Sequence, residues 1–300
     1  MRLREVSAAV ETMAIIETAA ALDVLGQLTS NPSTAREVAT ALRLDRVATA
    51  RLLDALAGMG LLCERSGGVF ETDTVATDRV HSLTGLWQAL PAVVRTGEPV
   101  LQAATAAGAT RLYPDVVPVL SEWFAPAAER FAAELSPWTG RVLDVGAGAA
   151  PWTIALASRN PEVHVTAVDF PAVLTRTRRA VTAAGLVSRF DYLPGDVLDV
   201  ALPAHDLAVV GNVCHLFDEA HNRVLLAKLH RTARRVAIVD VLPSADPAVS
   251  RYALGLLTRA RGGAVHSLTA YQEWARQAGF AGVTTVPLSS DPPLTLLLCA

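Results

Sequence analysis

The residues able to do chemistry gather after position 140. The run Val142-Leu143-Asp144-Val145-Gly146-Ala147-Gly148-Ala149-Ala150-Pro151 reads as a buried strand that enters a glycine turn and then a helix. Such a turn brings backbone N–H groups and a helix N-terminus against a nucleotide, and it serves NAD, FAD and adenosylmethionine binders alike. The dinucleotide fingerprint G-x-G-x-x-G needs a small residue at position 151, where this chain has Pro. Pro151 instead suits the first position of a helix, where a missing N–H is no loss.

The flanking acids separate these ligands. Asp144 stands two residues before Gly146, so its carboxylate is expected at the mouth of the strand. Beside a pyrophosphate, a fixed negative charge costs about 1 to 4 kcal/mol at ~4 Å, depending on the dielectric. Beside the ammonium and sulfonium of S-adenosylmethionine the same charge is attractive. Asp169 ends a second strand 23 residues after Gly146, near the offset at which an acid accepts ribose hydroxyls. Phe170 follows and is placed to cover an adenine, and Gly195-Asp196-Val197 closes a third strand, where Asp196 can accept from an adenine amino group. Asp144, Gly146, Gly148, Asp169, Phe170, Asp196 and Val197 are therefore expected to hold S-adenosylmethionine. His215 follows the strand Asp206-Leu207-Ala208-Val209-Val210-Gly211-Asn212-Val213 at its carboxyl end, where an open α/β sheet places its chemistry. An imidazole there is suited to taking a proton near neutral pH.

The elements that must position these residues alternate from Arg141 onward: strand, helix, strand, helix, through to Thr295-Leu296-Leu297-Leu298-Cys299-Ala300. Such alternation predicts a Rossmann-like, doubly wound, mainly parallel sheet with helices on both faces. The N-terminal part has another grammar. A 3–4 apolar repeat predicts one helix from Val6 to Leu28, and Thr34 with Glu37 makes a capping box opening a second. A third helix covers Val47 to Met59, and two short strands flank the turn Ser66-Gly67-Gly68. Helix, turn, helix and wing describe a winged helix. Its third helix offers Arg46 and Arg51 beside Asp45 and Asp54, a poor phosphate-contacting surface, so the module reads as architectural, with its long first helix available for subunit contact. Residues 79–138 read as mainly helical and carry Trp87, Tyr113, Trp123 and Phe124, which can turn toward an aromatic guest. The expected division is a winged-helix dimerisation domain over 1–95, a helical connector over 96–138 and the catalytic domain over 139–300.

Composition narrows the setting. Of the 300 residues 51% are apolar, enough for two cores, and the formal net charge is -3. No global positive field exists to hold a polyanionic backbone, so nucleic acid is not an expected partner. Charged residues interrupt every apolar stretch short of the ~20 residues a spanning helix needs. Glu5 and Glu11 break the N-terminus where a signal peptide would carry its apolar segment. A cytoplasmic protein with no membrane segment is expected. Cys63, Cys214 and Cys299 have no metal-ligand spacing and read as three small buried thiols, and no metal site is expected.

The chain as a whole resembles the small-molecule O-methyltransferase family that includes caffeic acid and hydroxyindole O-methyltransferases and many bacterial natural-product enzymes. Val142-Leu143-Asp144-Val145-Gly146-Ala147-Gly148 carries the resemblance, as do Val168-Asp169-Phe170-Pro171-Ala172-Val173-Leu174 and Gly195-Asp196-Val197. So do Asn212-Val213-Cys214-His215-Leu216-Phe217-Asp218-Glu219 and Gln277-Ala278-Gly279-Phe280. The resemblance implies a homodimer joined through the N-terminal domain, cofactor contacts at Gly146, Asp169, Asp196, Val197 and Gly211, and His215 as general base. Family members that methylate phenols often hold the base with a Glu before the last helix; this chain has Val265 there, followed by His266 and Ser267. A second acidic position matches Asp240 one residue out of register, and Asp240 is expected to orient His215. Asp218 and Glu219 fit a helix cap. The expected reaction is methyl transfer from S-adenosylmethionine to a hydroxyl of a small aromatic or polyketide-like molecule, with N- or C-methylation open. Two alternatives stand beside it: an enzyme that binds the cofactor and catalyses a decarboxylation, hydroxylation or rearrangement, and a winged-helix ligand sensor.

Overall fold

The computed structural model describes residues 3–72 and 85–300, which fall into two units, Met1–Gln88 and Ala89–Ala300. In the first, α1 (Leu3–Ala21) and α2 (Val24–Ser30) replace the single helix expected from the apolar repeat. The break is Asp23, which takes the left-handed conformation at φ 53°. Its carboxylate packs so tightly on Gly26 that a Cβ there would fall 2.2 Å from Asp23 Oδ1. The apolar repeat runs through the break unchanged, so periodicity alone does not reveal it. After β1 (Ser33–Thr34) come α3 (Ala35–Leu42), α4 (Arg46–Gly58), β2 (Cys63–Arg65) and β3 (Val69–Glu71).

Thr34 and Glu37 form the expected capping box, each side chain bonded to the other's backbone N–H. Gly67 and Gly68, both at positive φ, turn β2 back into β3, and the three strands pair in the order β1-β3-β2. Val24, Leu25, Leu28, Val38, Leu53, Leu56 and Phe70 close this unit's core. Cys63 is exposed rather than buried, whereas Cys214 and Cys299 are buried free thiols.

In the second unit α5 (Leu90–Thr96) and the long α6 (Ala106–Leu135) precede the sheet. The helical expectation over 79–84 lies outside the described residues. Then follow β4 (Gly140–Val145), α7 (Pro151–Arg159), β5 (Val163–Asp169), α8 (Pro171–Ala183), β6 (Phe190–Pro194), β7 (His205–Gly211) and α9 (Glu219–Thr232). The chain closes with β8 (Ala233–Asp240), α10 (Pro247–Leu256), α11 (Leu268–Ala278), β9 (Val283–Ser290) and β10 (Pro293–Cys299). The seven strands lie in the order β6-β5-β4-β7-β8-β10-β9. β4 pairs in parallel with β5 and β7, β5 with β6, and β7 with β8. β10 alone inserts antiparallel, between β8 and β9.

That terminal hairpin departs from a wholly alternating reading. Its strand β9, Val-Thr-Thr-Val-Pro-Leu-Ser-Ser, carries a Pro that only an edge strand tolerates, and the sheet order places it on the edge. Successive residues of the central strands feed opposite faces. Val142, Val165, Leu207, Val209 and Ala237 join one cluster with α6, α7 and α8; Leu143, Val145, Ala208, Val210 and Ile238 join another with α9 and α11. Among the described residues no helix is long and apolar enough to cross a membrane, and no group of three metal-ligating side chains occurs.

The strand order reverses beside β4, leaving a crevice at the carboxyl ends of β4 and β7. Phe131 of α6, fully buried, meets Trp152 of α7 edge-on at 5.6 Å and so ties the connector helix to the sheet. Phe131→Ala is expected to destabilise this unit by about 3 to 5 kcal/mol, measured by denaturant unfolding. A loss below ~1 kcal/mol would mean that α6 is not part of the cooperative core.

Candidate functional site

The crevice holds a cavity of about 110 Å³ whose wall includes Gly146, Gly148, Asp169, Phe170, Asp196, Val197 and Gly211. Seven of the eight residues expected to bind the cofactor thus meet in one place, the exception being Asp144. The turn after β4 is shaped by three left-handed residues, Gly146 at φ 64°, Gly148 at φ 56° and Ala150 at φ 55°. Gly146 also has no room for a side chain, since a Cβ would fall 2.5 Å from Val213 Cγ2. Gly211 faces the same constraint from the other strand: a Cβ there would fall 2.2 Å from Trp152 Nε1. The bare backbone at both strand ends lets Val213 and Trp152 pack directly against it, and both residues also line the cavity.

Each acid is held differently. Asp169 accepts from the Gly148 N–H at 2.9 Å and from the Phe170 N–H at 2.7 Å, so it spans the glycine turn and the start of α8. Burial pushes its carboxyl up to about 6, opposed by those two N–H groups. Thr177 of α8 donates to the Gly148 carbonyl at 2.6 Å and locks the turn from behind. Asp196 accepts from the Leu198 N–H at 2.9 Å and stays on the cavity wall. Asp144 behaves otherwise than expected. It is 2% exposed, lies off the cavity wall and takes a short hydrogen bond from the Thr153 hydroxyl in the first turn of α7. Burial pushes its carboxyl up to about 7; the Thr153 bond opposes this and Asp169 adds to it. The reason is strand alternation: Asp144 pairs between Ala167 and Val209 in the middle of the sheet, under α7 rather than at its rim.

His215 and Asp240 come together as expected. The His215 Nδ1–H donates to Asp240 Oδ1 at 2.8 Å, and the His215 backbone N–H donates to Oδ2 at 3.2 Å. Asp240, fully buried at the end of β8, also accepts from the Val241 N–H at 2.9 Å and from the Tyr271 hydroxyl at 3.0 Å. With Nδ1 protonated, Nε2 is left as the acceptor, and the Tyr252 hydroxyl of α10 lies 3.0 Å from Nε2 and 3.1 Å from Nδ1. The two rings meet edge to face at 5.3 Å. Burial, then the Asp240 charge, pushes the Tyr252 hydroxyl far above its ordinary range, so it is a neutral donor. His215 is 4% exposed and off the cavity wall, which its neighbours Asn212, Val213, Leu216 and Phe217 supply.

Of the four aromatic residues expected near a guest, Tyr113 and Phe124 line the cavity. Trp123 is 55% exposed, and Trp87 is 40% exposed in the N-terminal unit. Val265 packs into the apolar cluster beneath the sheet. His266 bonds to the Phe217 carbonyl at 2.9 Å, and Ser267 caps α11. None of these three replaces the absent acid beside His215, although Gly263 approaches it so closely that a Cβ would fall 2.6 Å from the His215 carbonyl. Asp218 caps α9 through the His221 N–H at 2.9 Å, as expected. Sequence reasoning missed Tyr252, Tyr271, Trp152 and Asn212. Only the Asn, next to a strand-end Gly and three residues before His215, carried a local signal.

The buried acids make stability depend on pH in a definite direction. Asp144 is raised from 3.8 to about 7, so the folded chain holds this proton more tightly than the unfolded chain does. Stability must therefore fall as pH climbs through that window, and Asp169, raised to about 6, acts the same way. Asp144→Asn is expected to flatten the decline of melting temperature between about pH 4 and 7; an unchanged slope would refute the buried-carboxyl assignment.

Comparison with known proteins gives these features a family. The profile of the O-methyltransferase domain matches residues 129–281, and that of the O-methyltransferase dimerisation domain matches residues 6–88. The chain is 29% identical over 158 residues to a 3-hydroxy-5-methyl-1-naphthoate 3-O-methyltransferase of Streptomyces sahachiroi, covering 50% of this chain and 46% of that protein. It is 26% identical over 277 residues to an O-demethylpuromycin-O-methyltransferase of Streptomyces alboniger, covering 81% and 72%. The chain spans 46%, 41% and 44% of the length of the first three curated relatives it matches. Among solved structures it resembles an O-methyltransferase family protein of Burkholderia thailandensis, with a TM-score of 0.77 at 20% identity over 99% of this chain and 96% of that one. It also resembles human N-acetylserotonin methyltransferase solved with SAM, with a TM-score of 0.75 at 18% identity over 99% and 96%. With the catalytic-domain profile matched over half of its length and the dimerisation profile over residues 6–88, this chain belongs to the O-methyltransferase domain family.

Proposed function

We propose that this protein is an S-adenosylmethionine-dependent methyltransferase acting on a hydroxyl of a small aromatic or polyketide-like molecule, and that it works as a homodimer joined through residues 6–88. The observation that carries the reading is the meeting of Gly146, Gly148, Asp169, Phe170, Asp196, Val197 and Gly211 on one cavity wall, with the His215–Asp240 pair at the ends of the neighbouring strands β7 and β8. The acids on that wall fit a ligand that carries hydroxyls and positive charge. Bound S-adenosylmethionine supplies a methyl group on a sulfonium.

The protein's own part is positioning and proton transfer. Asp196 and Asp169 hold the adenosine end, Phe170 covers the base, and the turn from Gly146 to Gly148 receives the remainder. Asp240 fixes the His215 tautomer, so Nε2 is the nitrogen that accepts the proton of the acceptor hydroxyl. The Tyr252 hydroxyl lies beside both ring nitrogens, and it must move aside for the acceptor. Aligned reactants can lower a barrier by about 7 to 11 kcal/mol through positioning alone, so proton removal need supply only the smaller share.

A second reading keeps the cofactor and drops the transfer. It is favoured by the sealed imidazole and by Val265 where phenol-methylating relatives often carry an acid. The mass of the product decides: gain of one methyl group with formation of S-adenosylhomocysteine supports transfer, and turnover without it supports the alternative. His215→Ala is expected to lower turnover at least ~100-fold while leaving S-adenosylhomocysteine affinity, measured by calorimetry, within ~2-fold. Undiminished turnover would remove His215 from the mechanism.

A further inference from the structure

One residue of the cavity wall carries a buried polar atom with nothing to bind. Among the described residues, three buried side-chain polar atoms lack a hydrogen-bond partner: Trp138 Nε1, Asn222 Oδ1 and Asn212 Oδ1. Only Asn212 belongs to the cavity wall. A buried carbonyl oxygen left unpaired costs about 1 to 3 kcal/mol, so a fold that keeps one at a ligand cavity keeps it for the ligand. The residue is also held where it is. Its backbone is left-handed at φ 59°, and its N–H donates to the Val239 carbonyl at 2.8 Å. Asn is among the few side chains that accept this conformation with little strain.

Sheet order says which part of a ligand Asn212 would meet. The strands run β6-β5-β4-β7, so Asp196 after β6, Asp169 at the end of β5, the glycine turn after β4 and Asn212 after β7 form a row across the cavity. With adenine at Asp196 and ribose at Asp169, the methionyl end of the cofactor reaches the β4 and β7 end. Gly146 and Val213 crowd together there. A carboxamide oxygen can only accept, and the methionyl end carries one group rich in donors, the α-ammonium.

We propose that Asn212 Oδ1 is a cofactor-binding residue that accepts a hydrogen bond from the α-ammonium of the methionyl group. The inference rests on the cofactor reading above. It places the recognition of positive charge at an uncharged oxygen just after β7 and not at Asp144, whose carboxyl is engaged by Thr153 off the cavity wall.

The test compares two ligands that differ in the amino-acid end. S-adenosylhomocysteine carries the ammonium; 5′-methylthioadenosine keeps the adenosine and sulfur and lacks it. Calorimetry on the full chain would use Asn212→Gly, which removes the carboxamide and adopts the left-handed backbone freely, and Asn212→Asp, which keeps the acceptor. The Gly variant is expected to bind S-adenosylhomocysteine about 10- to 100-fold more weakly and methylthioadenosine within ~2-fold of wild type. The Asp variant is expected to bind S-adenosylhomocysteine at least as tightly as wild type does. Equal losses for the two ligands, or no loss for either, would overturn the assignment of Asn212. Failure of the wild-type chain to bind either ligand would overturn the cofactor reading and this inference with it.

Discussion

Everything at the site depends on how closely two strand ends approach their neighbours. At Gly146 a side chain would strike Val213, and at Gly211 it would strike Trp152. Because neither has one, the turn after β4 can fold over the end of β7, and Trp152 can lie across Gly211. Trp152 then stacks on Phe124 at 5.6 Å and meets Phe131 edge-on at the same distance, which fastens α6 over the sheet. Phe124 faces the cavity as well, so the contact that closes the core also supplies an apolar wall. The two missing Cβ atoms thus shape the turn, the cavity and the seat of the connector helix at once.

The legible parts of this fold were those set by local, repeated rules. The buried strands β4, β5, β7 and β8 are mainly apolar runs that end in or just before Gly or Asp, and Thr34 with Glu37 announced a capping box that the structure contains. What sequence could not supply were choices made by tertiary contact. Asp23 breaks the first helix through a left-handed backbone that leaves the apolar repeat intact. The antiparallel strand β10 enters between β8 and β9 because a hairpin can reverse direction within a few residues, and nothing in its own composition gives its neighbours. Tyr252 and Tyr271 are single tyrosines on separate helices, and their convergence on the His215–Asp240 pair comes from packing alone.

That convergence gives the pair its character. Asp240 accepts four hydrogen bonds, from His215 Nδ1, His215 N–H, Val241 N–H and the Tyr271 hydroxyl. A fully buried carboxyl is tolerable only when so satisfied. The arrangement fixes the imidazole through Nδ1 and sets a phenol beside the ring, itself flanked by the Arg259 guanidinium 5.6 Å from the Tyr252 ring centroid. The imidazole is thus buried between a carboxyl and a phenol, with the Tyr252 hydroxyl near both of its nitrogens.

The cavity still favours a cationic ligand, through other residues than Asp144. An anionic rim was expected to begin at Asp144, yet that carboxyl is turned under α7 and raised to about 7, which makes it a poor source of fixed charge near neutral pH. The cavity wall keeps Asp169, raised to about 6, and Asp196. A pyrophosphate against Asp169 would drive that carboxyl further toward its protonated form and add to the cost of burying it. A positive group in the cavity would draw it back toward the ordinary carboxylate range and recover part of that cost. Charge at Asp169 and an unpaired oxygen at Asn212, on opposite sides of the glycine turn, therefore ask for the same kind of ligand by different means.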